Sequence, residues 1–302
     1  MPGTSSLGVN ANVKRANGFA RPQTAGHETA PRGWVSPDAK KGKKLMYWGN
    51  FNYSTITIYS NKGVNGKELG QITTGLSSPE RLFVDKKHNV YATNLGNNTI
   101  TAYKPGATSP FLTISSGVNT PTGLTVDAAG TIYCANVGNN TITVYPVGQT
   151  TPSLTISVPS SPEYLATDAS DNLYASVGLE VLEFAPGSTN GKNLGLAVGS
   201  PAAVEVDRKG NLIVLDQSTD EIDYIPAGQT QPSKQISVTS GFPFALSLSA
   251  NEKELYVSVE ANSGPFIIQN VAYPKGSALT NKFTNNGGDW PIAVSPDNAL
   301  GG

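Results

Sequence analysis

An all-β fold, a six-bladed β-propeller of four-stranded blades, is predicted by three features of this sequence. Near-identical segments lie 42 residues apart: Tyr91 to Tyr103 reads YATNLGNNTITAY, and Tyr133 to Tyr145 reads YCANVGNNTITVY. A proline recurs at about that spacing, at Pro79, Pro121, Pro162, Pro201, Pro243 and Pro291. The composition favours short strands and tight turns over helices, with 32 Gly, 21 Pro and only 14% charged residues.

Each element follows from the repeat. Six residues after the proline comes an aspartate (Asp85, Asp127, Asp168, Asp207, Asp297), with Ser249 in the fifth copy. A second strand then starts at Tyr91, Tyr133, Tyr174, Ile213 or Tyr256, and a third ends at Tyr103, Tyr145, Phe184, Tyr224 or Tyr273. In the copy opened by Pro121, strands A to D are expected at Gly123–Val126, Thr131–Asn136, Thr141–Tyr145 and Ser153–Val158. Apolar–polar alternation marks each strand, and turn residues bound it. A four-stranded repeat of about 40 residues is the unit of a propeller blade. Such a unit buries both its faces only when its neighbours close a ring.

Counting B strands gives six blades, the first starting near Leu45-Met46-Tyr47-Trp48. Two segments compete to be its A strand, Trp34–Asp38 and Ile292–Asp297. Five residues separate Asp127 from Tyr133, whereas eight, with lysines among them, separate Asp38 from Tyr47. The spacing favours the C-terminal segment, which then closes the ring by joining blade one. The alternative is closure by Trp34–Asp38 with the C-terminal strand outside. Residues 34–302 are therefore read as one propeller. Residues 1–33 show no period and form an arm, either flexible or docked on a neighbouring molecule.

The repeated Asp is expected to cap the A–B turn, and Asn50, Asn94 and Asn136 to do similar local work. The tripeptides Asn97-Asn98-Thr99, Asn139-Asn140-Thr141 and Asn52-Tyr53-Ser54 match the glycosylation pattern, but in tight hairpins they read as turns.

The run Pro121-Thr122-Gly123-Leu124-Thr125-Val126-Asp127-Ala128-Ala129-Gly130-Thr131-Ile132-Tyr133, echoed from Pro201 to Ile213, resembles the NHL-repeat propellers. More broadly it resembles the gluconolactonase/senescence-marker-protein and virginiamycin B lyase groups, over residues 45–297. The resemblance implies the fold strongly and the function weakly, since propellers host enzymes, sensors and scaffolds alike.

Composition excludes several classes. A net charge of −1 gives no pull toward nucleic acid. No run of 18 apolar residues is present to span a bilayer. The single Cys134 rules out an intramolecular disulfide framework and reads as a small buried residue. Behind Met1-Pro2-Gly3-Thr4 no apolar stretch marks a signal peptide. The low-charge, Asn- and Thr-rich composition nevertheless resembles bacterial extracytoplasmic propellers. It sets the expectation of a secreted or periplasmic protein whose leader has been removed.

Candidate chemistry sits where the A strands enter the central channel. After the prolines stand Glu80-Arg81, Thr122-Gly123, Glu163-Tyr164, Ala202-Ala203, Phe244-Ala245 and Ile292-Ala293. The lactonase resemblance implies a divalent cation on channel-mouth Glu, Asn and Asp. Only Glu80 and Glu163 match, as ligands for Ca²⁺ or Mg²⁺; otherwise no cofactor is expected. The lyase resemblance implies a catalytic histidine. The two histidines, His27 and His88, fall in the arm and in an A–B turn. As a binding site for a protein or glycan, the rim offers Glu80, Arg81, Glu163, Tyr164, Phe242, Phe244 and Trp290; with blade one closed by the C-terminus, Phe242, Phe244, Trp290, Glu80 and Arg81 would cluster on one side of the mouth. The other reading is that these rings plug the channel or pack between blades.

The leading expectation is a non-enzymatic binding or scaffold propeller. A divalent-metal lactonase-type hydrolase is the alternative. A third reading is a self-assembly subunit, a homo-oligomer built through the arm and the exposed outer strands.

Overall fold

A computed structural model describes residues 33–39, 44–62, 64–238, 241–261, 266–285 and 289–294. Every sheet is antiparallel, and six sheets follow one another as blades. Blade two is Pro79–Val84, Val90–Asn94, Thr99–Tyr103 and Leu112–Ile114, from the axis outward. Blade three is Pro121–Val126, Ile132–Asn136, Thr141–Tyr145 and Leu154–Ser157. These match the expected strands to within about two residues at each end, the third strand without difference. Blades four, five and six open with Pro162–Thr167, Pro201–Val206 and Gly241–Leu248. Apolar side chains on both faces of each sheet pack against the neighbouring blades, so the core runs around the ring.

Blade one closes the ring as the spacing favoured. The C-terminal strand Asp289–Val294 pairs with Leu45–Asn50 as the innermost strand. Its register differs from the sequence alignment. Asp289, not Pro291, stands opposite Asn50, where Pro79 stands opposite Asn94. Trp34–Val35 is not the A strand of blade one, the role weighed for it. It pairs with Glu68–Ile72 and adds a fifth, outermost strand to blade one. The local reason is Gly70, whose missing Cβ would stand 2.7 Å from the Trp34 carbonyl oxygen. Residues 1–32 of the arm lie outside the described residues.

In blades two to five the A–B turns are held as the repeated Asp predicted, while Asp297 lies outside the described residues. Asp85 Oδ1 accepts from the Asn89 N–H (2.8 Å), while its Oδ2 accepts from Asn89 Nδ2 (2.7 Å) and the Tyr91 hydroxyl (3.1 Å). Asp127, Asp168 and Asp207 repeat the contact to the residue four ahead. Ser249 stands in with its hydroxyl oxygen, which accepts from the Lys253 and Glu254 N–H groups. Cys134 is fully buried, and burial pushes its thiol pKa up.

Candidate functional site

Each A strand begins at one end of the axis, here called the mouth, and each B strand returns to it. The D–A loops and the B–C turns therefore share the mouth face. In blades two to six the ladder slips by one residue just after the opening proline. The register skips Glu80, Thr122, Glu163, Ala202 and Phe244, the column expected to carry chemistry. Proline has no N–H to continue the ladder, and a bulge re-aims the residue beside it. In blade one the slip falls between Asp289 and Ile292, so Trp290 lies within it. The side chain of Trp290 is outside the described residues.

A hub built on Arg81 crosses the axis. This side chain is only 3% exposed and reaches from blade two across the channel. Its Nη2 lies 3.4 Å from Glu205 Oε1 of blade five, a buried ion pair. Its Nη1 donates to the carbonyls of Leu246 in blade six (3.3 Å) and Ile292 in blade one (3.4 Å). The guanidinium lies 3.9 Å from the ring centroid of Tyr164 in blade four. The Tyr164 hydroxyl in turn donates to the Leu246 carbonyl (2.8 Å) and accepts from the Leu246 N–H (3.0 Å). One cation thus ties five of the six blades together. A planar guanidinium suits this work, because its fork serves several acceptors while its face stacks on a ring.

The residues singled out from sequence divide accordingly. Arg81 and Tyr164 come together, buried inside the axis. Phe242 and Phe244 come together as an edge-on pair with centroids 5.0 Å apart, Phe244 buried and Phe242 half-buried. Glu163 is buried and Glu80 half-buried, in blades four and two. Among the described residues no group of three or more His, Cys, Asp or Glu is placed to hold a metal ion. His88 sits at φ 62° in the A–B turn of blade two, at the end of the axis away from the mouth.

Glu205 was not singled out, although a signal existed. Its column otherwise holds Phe83, Thr125, Ala166, Ser247 and Ala293. A lone charge among these on an inner strand requires a buried partner.

Three of the mouth-face loops are fastened by side chains at the ends of the B strands. Asn94 Oδ1 accepts from the Ser77 N–H (3.1 Å), and Asn136 Oδ1 accepts from the Asn119 N–H (2.9 Å). Asp216 replaces them in blade five, accepting from Gly199 N (2.7 Å) and Ser200 N (2.9 Å). Burial opposes its charge, but these bonds and those from Ser218 hold its carboxyl below the usual range. In the B–C turns the Thr99 and Thr141 hydroxyls donate to Asn97 and Asn139, as the turn reading expected. Tyr53 and Leu179, on the B–C turns of blades one and four, are exposed on this face.

Fold and axis together define a six-bladed propeller with a side-chain hub in its channel. No protein-family model matches the sequence, and no curated protein matches it. Solved structures do match. The nidogen/laminin complex contains a chain similar to this one with a TM-score of 0.70 at 17% identity, covering 84% of this chain and 98% of that one. A protein of unknown function from Bacteroides caccae gives 0.66 at 11% identity, covering 83% and 98%. Virginiamycin B lyase from Staphylococcus aureus, in a catalytically inactive His-to-Ala form with quinupristin, gives 0.57 at 12% identity, covering 80% and 85%. At these identities the likeness is one of fold. The lyase-type propeller named by the sequence pattern is therefore among the structural neighbours.

Proposed function

We propose that the protein is a non-enzymatic binding propeller that presents its mouth face to a protein partner, with a glycan as the second candidate ligand. The observation that carries this reading is the contrast between axis and rim. The Arg81 hub spans the channel, where propeller chemistry would sit. The D–A loops around it are pinned by Asn94, Asn136 and Asp216. A surface ordered in advance loses little entropy when a partner binds. Exposed Tyr53 and half-buried Phe242 supply aromatic contact area on that face. A neighbour of the same fold found in the nidogen/laminin complex lends this reading support, as does the extracytoplasmic setting that the composition suggests.

The second reading is a lactonase-type hydrolase using Ca²⁺ or Mg²⁺ on Glu80 and Glu163. Its support is the carboxylates in the bulge column of blades two and four. A lyase reading has less support. The S. aureus neighbour is inactive with a histidine replaced, whereas His88, the one histidine among the described residues, lies in a turn away from the mouth.

Site-directed photocross-linking tests the binding reading. A benzophenone side chain replaces Tyr53 on the mouth face or Val147 on the opposite face, both well exposed. The expected result is saturable cross-linking to extracellular proteins or glycans from position 53 alone. Equal labelling from both positions, or none from position 53, contradicts the proposal.

A further inference from the structure

The face opposite the mouth carries a cleft that neither the hub nor the rim uses. It lies between blades three and four, encloses about 200 Å³, and has Leu154, Leu173 and Phe184 among its walls. Tyr47, Tyr91, Tyr174, Ile213 and Tyr256, one in each of the other five blades, are buried. Tyr133, in the same column, is only half-buried and faces the cleft. Its hydroxyl donates to Asp127 Oδ2 (3.3 Å).

Asp171 lines the same cleft, from the turn position that blades three and five fill with Gly130 and Gly210. Its Oδ1 is buried and accepts no hydrogen bond among the described residues. Burial, with the nearby carboxylates of Asp127 and Asp168, raises the Asp171 pKa, and Lys86 offsets part of that effect. The local potential is therefore negative, and an added cation would relieve it. Apolar walls, two aromatic rings and the Asp171 side chain line the cleft.

We propose that this cleft binds a small organic ammonium ion, its charged end on Asp171 and its apolar body against Leu154, Leu173 and Phe184. The volume is below the roughly 300 Å³ at which drug-sized sites begin, so the body is a short alkyl chain or a single ring. The rings of Tyr133 and Phe184 favour a cation over a neutral molecule of the same shape.

Benzylammonium is the probe, with benzyl alcohol as its neutral counterpart, each titrated into the full chain and followed by amide chemical shifts. The expected shifts centre on Tyr133, Leu154, Asp171 and the turn at Pro186-Gly187. The alcohol should bind at least about tenfold more weakly, as should benzylammonium to Asp171→Asn and Asp171→Gly. Both variants suit the turn, since Asp171 has φ 60°, where Asn and Gly are at ease. An unchanged melting temperature shows that the fold is kept; if one variant melts early, the other decides. The proposal is overturned if benzylammonium causes no shifts at millimolar concentration. It is equally overturned if the alcohol binds as well as the cation, or if both folded variants bind like the parent.

Discussion

Arg81 and Glu205 set the energetics of the axis. A buried ion pair gains little over an apolar replacement, but leaving one charge without its partner is expensive. Arg81→Met removes the cation beside Glu205 and the donor to the Leu246 and Ile292 carbonyls. It should lower unfolding free energy by about 3–5 kcal/mol. The double variant Arg81→Met/Glu205→Leu should recover a large part of that loss. Urea unfolding of the two single variants and the double checks this as a cycle. Additive losses would show that the two side chains are not coupled. The pair was not legible in the sequence, because its members lie 124 residues apart and no local pattern joins them. The column of residues after the proline was legible in blades two to six, where the register slips beside a residue with no N–H to give the ladder, but not in blade one, where the slip precedes Ile292. What the sequence left undecided was whether those side chains meet solvent or the axis. Arg81 and Tyr164 meet the axis.

At the scale of the element, the blades were legible wherever the chemistry is local. An Asp that bonds the N–H four residues ahead, and an Asn-Asn-Thr hairpin, each specify a turn within a few residues. The strand at Trp34–Val35 was not legible in that way. It has two residues, and its place depends on the absence of a side chain at Gly70 on its partner strand. Gly70→Val should therefore detach it, since any Cβ would meet the Trp34 carbonyl oxygen at 2.7 Å and Val35 Cα at 3.0 Å. Amide exchange at Val35 and Ser36 should rise to loop-like rates, while exchange in blades two to five stays unchanged. The Ser36 N–H, which donates to the Leu69 carbonyl at 2.7 Å, is the most direct reporter. Continued protection of that amide in the variant would show that the outer strand holds without the glycine's space.

The whole molecule is a ring closed without a covalent link between its ends, and closure and hub act together. Asp289–Val294 completes blade one, and Arg81 holds the Ile292 carbonyl from across the axis. The result is a body with a side chain across its axis and with three of its mouth-face loops tied to the B strands beneath them. A binding surface is the use proposed for such a body. The measurement that tests this most directly is elemental analysis of the purified protein. It follows dialysis against trace Ca²⁺ and Mg²⁺, with a Glu80→Gln/Glu163→Gln variant alongside. The binding account predicts no stoichiometric metal in either protein. One equivalent of metal in the parent, lost in the variant, would contradict it and move the chemistry back to the channel mouth.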